Sequence, residues 1–358
     1  MSTDADLVQP ARQPAAEAGT VFDLTPTDEQ AMLVEAVRDF ALRACRPAAR
    51  AADEACATPR ELLATAVELG LTAIGVPEAH GGALEHRATV TAALIAEALA
   101  EGDMGIALAC LAPAGVATAL GLWGDAAQQS AYLPAFTGAA PPTAAIALAE
   151  PSVLFDPFAL QARARRTGSG DFVIDAVKSM VPRALAGALL IVAAELDGAP
   201  SLFIVEGDSD GLSATSEPGM GVRAASTTRI TLEGVRLPST ALLGDSDPRV
   251  HRELVALARL GWCALAVGTG QAVLGYVSEY VNQRLAFGEP ISNRQAVAFA
   301  LADIAIELEG MRLLTYRAAN RADTGKSFDR EAALARRLCA EEGAQIGSNG
   351  VQLLGGHG

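Results

Sequence analysis

Aromatic side chains are scarce in this 358-residue sequence: tryptophan, tyrosine and phenylalanine make up 4% of it, although hydrophobic residues reach 51%. With so few rings, much of the apolar content is alanine, which favours helix and close helix packing over sheet. Basic residues are also in short supply. Against 42 aspartates and glutamates stand 27 lysines and arginines, a formal net charge of −15. Such a balance opposes binding to nucleic acid or anionic membranes, both of which need a basic surface. A phosphate-bearing ligand is still compatible, because a few local arginines can hold one. The five cysteines (Cys45, Cys56, Cys110, Cys263 and Cys339) are scattered and odd in number. No Cys-x-x-Cys pair or Cys/His cluster offers a zinc site, so no metal is expected and free, mostly buried thiols fit better. No basic stretch leads into an apolar run at the N-terminus, which argues against a secretory signal. No uninterrupted apolar run is expected to approach the roughly 20 residues of a spanning helix. The expectation is a cytoplasmic chain without a membrane span, able to bury a large core in one to three domains.

Residues 1–20 are polar, Ala/Pro-rich and aperiodic and read as a disordered tail, with order beginning near Phe22. Thr27 followed by Gln30 fits a capping box, after which Leu33, Val37, Phe40, Ala41 and Ala44 recur at helical spacing. Further helical runs cover about 60–70, 88–101, 105–121 and 125–137, punctuated by Gly70, Gly81-Gly82, Gly102 and Gly124. The texture then changes. Residues 171–181, 188–196, 201–206 and 227–237 are short, rich in Val, Ile, Leu and Thr, and separated by Gly, Asp and Pro turns, as in a small β-domain. Long helical periods return at 249–284, 293–321 and 328–350. Helices, then strands, then helices argue for an α+β fold. The corresponding domains are 21–140 (helical), 141–245 (β) and 246–358 (helical).

Short phrases recur in a fixed order along this frame. Leu69-Gly70-Leu71 leads to Val76-Pro77-Glu78 and His80-Gly81-Gly82; Ala96-Glu97-Ala98-Leu99-Ala100 follows; then come Trp123-Gly124-Asp125, Gln128 and Tyr132-Leu133-Pro134. Later stand Arg284-x-x-Phe287-Gly288-x-Pro290-Ile291-x-x-x-Gln295-Ala296-Val297 and, further on, Gln352-Leu353-Leu354-Gly355-Gly356. In order and spacing these resemble the acyl-CoA dehydrogenase family along almost the whole chain, and the altered β-domain resembles actinobacterial members. The resemblance implies an acyl-CoA dehydrogenase-like fold, FAD as cofactor, and α,β-dehydrogenation of an acyl-CoA thioester. It also implies electrons passed to an electron-transfer flavoprotein, and a homo-oligomer (dimer or tetramer) or pairing with an unlike subunit. In the family the first late stretch reaches the FAD of a neighbouring subunit, which assigns Arg284 to the pyrophosphate and Gln295 to the ADP portion, with Phe287 between them. Gln352, Gly355 and Gly356 pass the same ADP moiety. Arginine suits phosphate because its donors are fixed, and paired glycines let backbone amides approach without a Cβ in the way. Arg259 matches an arginine beneath the acyl-thioester site.

Each feature also has a plainer reading. Arg284 alone is a helix-end arginine, Phe287-Gly288 a helix C-cap, Gly355-Gly356 a turn, and Arg259 a buried, paired arginine. Gly268-x-Gly270 is no dinucleotide fingerprint, since it lies in a helical run and its third glycine is misplaced.

The family's "TEPxxGSD" and "KxWIT" phrases, which face the flavin ring, are altered. Leu148 and Ala149 precede Glu150-Pro151, Phe155 stands where the family has serine, Met180 replaces tryptophan and Pro182 replaces threonine. These positions are expected to line the flavin by shape, with Phe155 also toward substrate. The reaction needs a carboxylate base in a dry pocket to take the proton α to the thioester. Most members carry it beyond the Gly-Gly motif, past Gly358. A minority carry it one residue before the matched arginine, where this chain has Ala258, and Glu253 lies five residues earlier. No catalytic residue is therefore assigned. A chain cut short of that segment is the leading expectation. Beside it stand a non-catalytic partner subunit of a heteromeric enzyme and a flavin monooxygenase of the same fold.

Overall fold

The computed structural model describes residues 25–83, 87–184 and 188–358, so the expected tail at 1–20 and the start near Phe22 lie outside the described residues. Helix α1 (Asp28–Phe40) begins at a reciprocal capping box: the Thr27 hydroxyl accepts from the Gln30 amide at 3.2 Å, and the Gln30 side chain accepts from the Thr27 amide at 3.0 Å. A wider turn at Ala41–Cys45 carries the chain into α2 (Arg46–Ala55), a helix that Pro47 at its first turn hides in the sequence. Then follow α3 (Arg60–Glu68), α4 (Thr89–Ala100), α5 (Met104–Trp123) and α6 (Ala126–Tyr132). The run expected at 125–137 stops being α-helical at Tyr132 and tightens into a 3₁₀ turn over Leu133–Thr137, because Pro134 cannot donate to the helix ladder.

Helix α5 corrects the expectation about apolar runs. Its 20 residues carry no charge, and it is long and apolar enough to cross a membrane by length and composition alone, as is the later helix Pro248–Gln283. Alanine and glycine disguise the run in the sequence. In the fold its buried side chains, among them Ile106, Ala107, Val116 and Leu120, serve as core.

The middle of the chain builds one sheet from β1 (Ala144–Ala147), β2 (Arg163–Arg166), β3 (Phe172–Pro182), β4 (Leu189–Leu196), β5 (Ala199–Val205), β6 (Leu212–Ser216), β7 (Thr227–Leu237) and β8 (Leu242–Leu243). The order is β6-β7-β3-β2-β4-β5-β8, with β1 parallel to β4. Four of these strands match the runs read in the sequence. The other four do not, because Ala-Ala-Ile-Ala at β1 has helical propensity, Arg-Ala-Arg-Arg at β2 shows no apolar face, β6 is polar and β8 is two residues long.

Helix α7 (Pro248–Gln283) spans 36 residues, followed by a small hairpin of β9 (Leu285–Ala286) and β10 (Glu289–Pro290), then α8 (Gln295–Asp323) and α9 (Asp329–Leu354). One apolar cluster joins residues of α1, α4 and α5 to residues of α7, α8 and α9, so the first and last helices share a core. A second cluster fills one side of the sheet, and a third, with Val116, Leu120, Ile191, Ile204 and Leu254, seals α5, the sheet and α7 together.

Small residues let the helices approach. A Cβ on Gly268 of α7 would lie 2.1 Å from the Glu97 carbonyl of α4, so this glycine serves packing, in keeping with its dismissal as a dinucleotide motif. The Gly268→Ala variant is expected to lose about 1–3 kcal/mol of stability through forced separation of the helices. Urea unfolding would check this, and an unchanged midpoint would show that the crossing tolerates the methyl.

Candidate functional site

Two groups of residues emerge, at opposite ends of α7. The first lies where the sheet meets the start of that helix. Leu148-Ala149 follow directly on the end of β1, and Ser179 of β3 donates its amide to the Ala149 carbonyl at 2.9 Å. The join is fixed by a buried ion pair. Lys178 Nζ lies 2.9 Å from Glu150 Oε1 and 3.3 Å from the Leu148 carbonyl, with the two side chains 0% and 4% exposed. Glu150 also accepts the Gln161 amide at 2.7 Å and the Ala162 amide at 2.9 Å. Burial alone would raise its pKa; those amides and the Lys178 ammonium outweigh it and hold the carboxyl below the usual range. Burial lowers the Lys178 pKa against the pull of Glu150. The pair is thus an anchored carboxylate that offsets the cost of a desolvated ammonium.

Beyond Lys178 the register of β3 against β7 shifts between Lys178 and Val181, a bulge that carries Met180 at φ 57°. Bulges re-aim side chains and gather beside functional surfaces. Here Met180 is turned outward, 38% exposed, and its amide and the Ser179 hydroxyl both donate to Glu217, at 3.0 and 2.8 Å. Pro182 is buried opposite Thr227. Phe155 is half-buried and packs, as Leu148 does, against the cluster between sheet and helices. The amides of Leu148 and Ala149 donate to no protein group among the described residues, which leaves two donors for a bound polar edge.

Arg259 of α7 is half-buried, with its guanidinium 5.6 Å from the Phe158 ring centroid; Arg252 stacks on the same ring at 5.9 Å. Among the described residues no carboxylate pairs with Arg259, so the plainer reading of a buried, paired arginine does not hold. His251 is buried and its Nε2 lies 2.7 Å from the Pro157 carbonyl, so it ties the loop before β2 to α7. Burial lowers its pKa and favours the neutral ring. Glu253 is occupied by the Arg87 guanidinium at 2.5 Å and by Trp123 Nε1 at 3.3 Å, and the side chain preceding Arg259 is the methyl of Ala258. Neither position offers a free carboxylate to act as a base.

The second group gathers around the far end of α7. Arg284 caps that helix, its amide donating to the Tyr280 carbonyl, while its own carbonyl accepts the Ile291 amide at 2.9 Å. Phe287 and Gly288 are not a helix C-cap. They are the two central residues of the β9–β10 hairpin, with φ 57° and 87°, the positive values that a tight two-residue turn requires. Phe287 stands 95% exposed at the tip with Arg294 over its ring at 5.0 Å. Gln295 opens α8, whose N-terminus has no side-chain cap and no acidic residue in its first turn, so its free amides favour an anion. Helix α9 runs out through exposed Gln352 to Gly355, at φ 60° and ψ −128°, a conformation reserved for glycine. Arg284, Tyr280, Ile291 and Leu353–His357 together line a surface cavity of about 390 Å³. A guanidinium, glycine backbone without Cβ cover and an open groove form a cradle that fits a dinucleotide phosphate.

Three family descriptions match the chain in order: "Acyl-CoA dehydrogenase, N-terminal domain" over residues 27–139, the middle domain over 145–235 and the C-terminal domain over 249–358. The chain is 34% identical to "Probable acyl-CoA dehydrogenase YngJ" of Bacillus subtilis, with 94% of this chain and 90% of that protein covered. Among solved structures, butyryl-CoA dehydrogenase from Megasphaera elsdenii superposes with a TM-score of 0.86 at 27% identity, covering 94% and 90% of the two chains. A chain in the structure described as "Electron transferring flavoprotein of Acidaminococcus fermentans" superposes at 0.85 with 27% identity, covering 94% and 90%. The chain belongs to the acyl-CoA dehydrogenase family and is an FAD-dependent oxidoreductase of that type.

Lys178 and Glu150 carry no assigned role in the sequence, although both stand inside the altered flavin-facing phrases. The Lys178→Met variant is expected to lose about 3–5 kcal/mol, because it strands a buried carboxylate. Adding Glu150→Gln should recover part of that loss, measured by chemical unfolding at neutral pH. The sign with pH follows from the lowered Glu150 pKa: its contribution is present above the ordinary carboxylate range and lost as pH falls through the folded value. Equal losses in the single and double variants would mean that the pair is not coupled.

Proposed function

We propose that this chain dehydrogenates an acyl-CoA thioester between its α- and β-carbons, with FAD held across two subunits. The observation that carries the second half is the separation of the two residue groups. Arg259 and Arg284 stand 25 residues apart on one continuous helix, about 37 Å at 1.5 Å per residue. One dinucleotide cannot touch both ends in the same chain, so the phosphate cradle at Arg284, Gly355 and Gly356 serves the flavin-facing surface of a neighbour, with Gln295 and Gln352, which do not line the cavity, assigned to its ADP portion by the family resemblance alone. The exposed Phe287 hairpin is the element that reaches across. A homo-oligomer satisfies this, and so does pairing with an unlike subunit.

Bound FAD supplies a two-electron acceptor for the hydride that leaves the β-carbon. The chain's own residues hold and orient. The Leu148 and Ala149 amides face the flavin's polar edge, and the exposed Met180 offers it apolar contact, whereas Pro182, expected beside it, is buried. Arg259 lies beneath the thioester, with the Phe158 loop held over α7 by His251. Electrons pass onward to an electron-transfer flavoprotein; a chain that this one resembles occurs in the Acidaminococcus fermentans structure described as such a flavoprotein. Kinship with actinobacterial members rests on Ala149, Phe155, Met180 and Pro182 alone.

Two experiments test the reading. Anaerobic addition of an acyl-CoA panel to the purified protein should bleach the flavin absorbance; a flavin indifferent to every thioester would remove dehydrogenation by this chain alone. Arg284→Ala should weaken FAD retention by roughly 10- to 100-fold, the equivalent of one charge-assisted hydrogen bond at about 1.5–3 kcal/mol. Co-assembly of Arg284→Ala chains with Ala149→Arg chains should restore some FAD binding if the cradle acts in trans. No restoration would place both contacts within one subunit.

A further inference from the structure

We propose that the cavity beside Arg183 binds a small organic monocarboxylate, at a site that shares no residue with the cofactor and thioester surfaces. This cavity of about 150 Å³ opens between α3, α5 and the segment before β1, and its walls include Leu63, Val67, Pro113 and Pro142. Among the described residues that line it, Arg183 is the cation. Arg183 follows β3 at φ 52°, fixed there by its amide, which donates to the Ala225 and Ser226 carbonyls at 3.2 and 3.1 Å.

Pro113 explains why an arginine is aimed at this place. Inside α5 it has no N–H to give the carbonyl four residues back, that of Ala109. Arg183 Nη1 approaches that carbonyl instead, at 3.4 Å, a long bond that uses one of its five donors. No carboxylate pairs with the guanidinium among the described residues, and burial bears against its charge. A cation in a half-dry cavity without a counter-ion is costly, and the cost is relieved by an anion entering from solvent. The planar fork matches the two oxygens of a carboxylate, while the leucine, valine and proline walls match a short apolar tail. An inorganic anion would satisfy the fork and leave the walls bare.

The probes are sodium acetate, propionate and butyrate against chloride at equal ionic strength, added to the FAD-loaded protein and followed by calorimetry and thermal unfolding. Carboxylates should bind saturably and raise the unfolding temperature. Affinity should improve by about fourfold per methylene from acetate to butyrate, the equivalent of about 0.8 kcal/mol each. Arg183→Gln should abolish this response. Ala64→Trp, which plugs the exposed mouth on α3 without touching the guanidinium, should abolish it too while acyl-CoA still bleaches the flavin, and it decides the matter if the arginine variant does not fold. Carboxylates that bind no better than chloride, affinity independent of tail length, or an Ala64→Trp protein that responds as the parent does would each overturn the proposal.

Discussion

The contact between Lys178 and Glu150 is the constraint from which the flavin-facing surface follows. Both groups are sealed from water, so neither is tolerable alone, and each is satisfied only in one arrangement. Lys178 must sit on β3 opposite the end of β1, which fixes Leu148-Ala149 beside the bulge at Ser179-Met180. Glu150 must also meet the Gln161 and Ala162 amides, which folds the segment between 150 and 162 back onto the sheet. That segment presents Pro157 to His251 and Phe158 to Arg259, so the same pair indirectly sets how the loop lies on α7. A buried ion pair is weak as a source of stability and strong as a selector among registers. Its worth here is that it selects one position for two loops and one helix.

The helical frame does the complementary work of separating the ends. Scarcity of aromatics leaves alanine and glycine at the crossings, and α4 comes close enough to α7 that its Glu97 carbonyl occupies the space of a Gly268 side chain. The Glu97 carboxylate is then taken by Arg312 and Tyr316 of α8, at 3.0 and 2.5 Å, so three helices are pinned at one charged point within an apolar core. With α7 held along its length, the phosphate cradle is kept rigidly remote from the chain's own sheet. On the proposed reading, that remoteness is the reason the cofactor site calls for a second subunit.

Much of this was legible in the sequence where the signal is local. The capping box at Thr27, the extents of the long helices and the convergence of Arg284 with Gly355-Gly356 depend on periodicity or on short ordered phrases, and the fold reproduces them. What was illegible depends on partners distant in the chain. Ala144–Ala147 is a strand only because β4 lies beside it, and Arg163–Arg166 only because β3 and β4 flank it. Phe287-Gly288 looks like a helix end until β10 is seen to return along β9. Lys178 and Glu150 are 28 residues apart, and no spacing rule joins them. The run of α5 is hidden for a different reason, since alanine and glycine make an uncharged core helix look unremarkable by eye.

The substitutions in the flavin-facing phrases gain meaning from where the protein's donors are already committed. Toward the end of β3, the Ser179 hydroxyl and Met180 amide are both consumed by Glu217, the Ser179 amide by Ala149, and Pro182 is buried and has no amide to give. Glu217 is itself held by Arg229, so these donors are not readily released. Strand β3 can therefore offer a flavin only apolar contact, through the exposed Met180. Hydrogen bonding would then come from the other side of the join, where the Leu148 and Ala149 amides have no partner among the described residues. If these phrases face the flavin as proposed, loss of the family's hydroxyls and its aromatic wall shifts the polar hold on the ring to the segment just after β1, whose position is set by Lys178. A change at that lysine should consequently be felt by the cofactor even though the ammonium is buried beneath the surface that meets it.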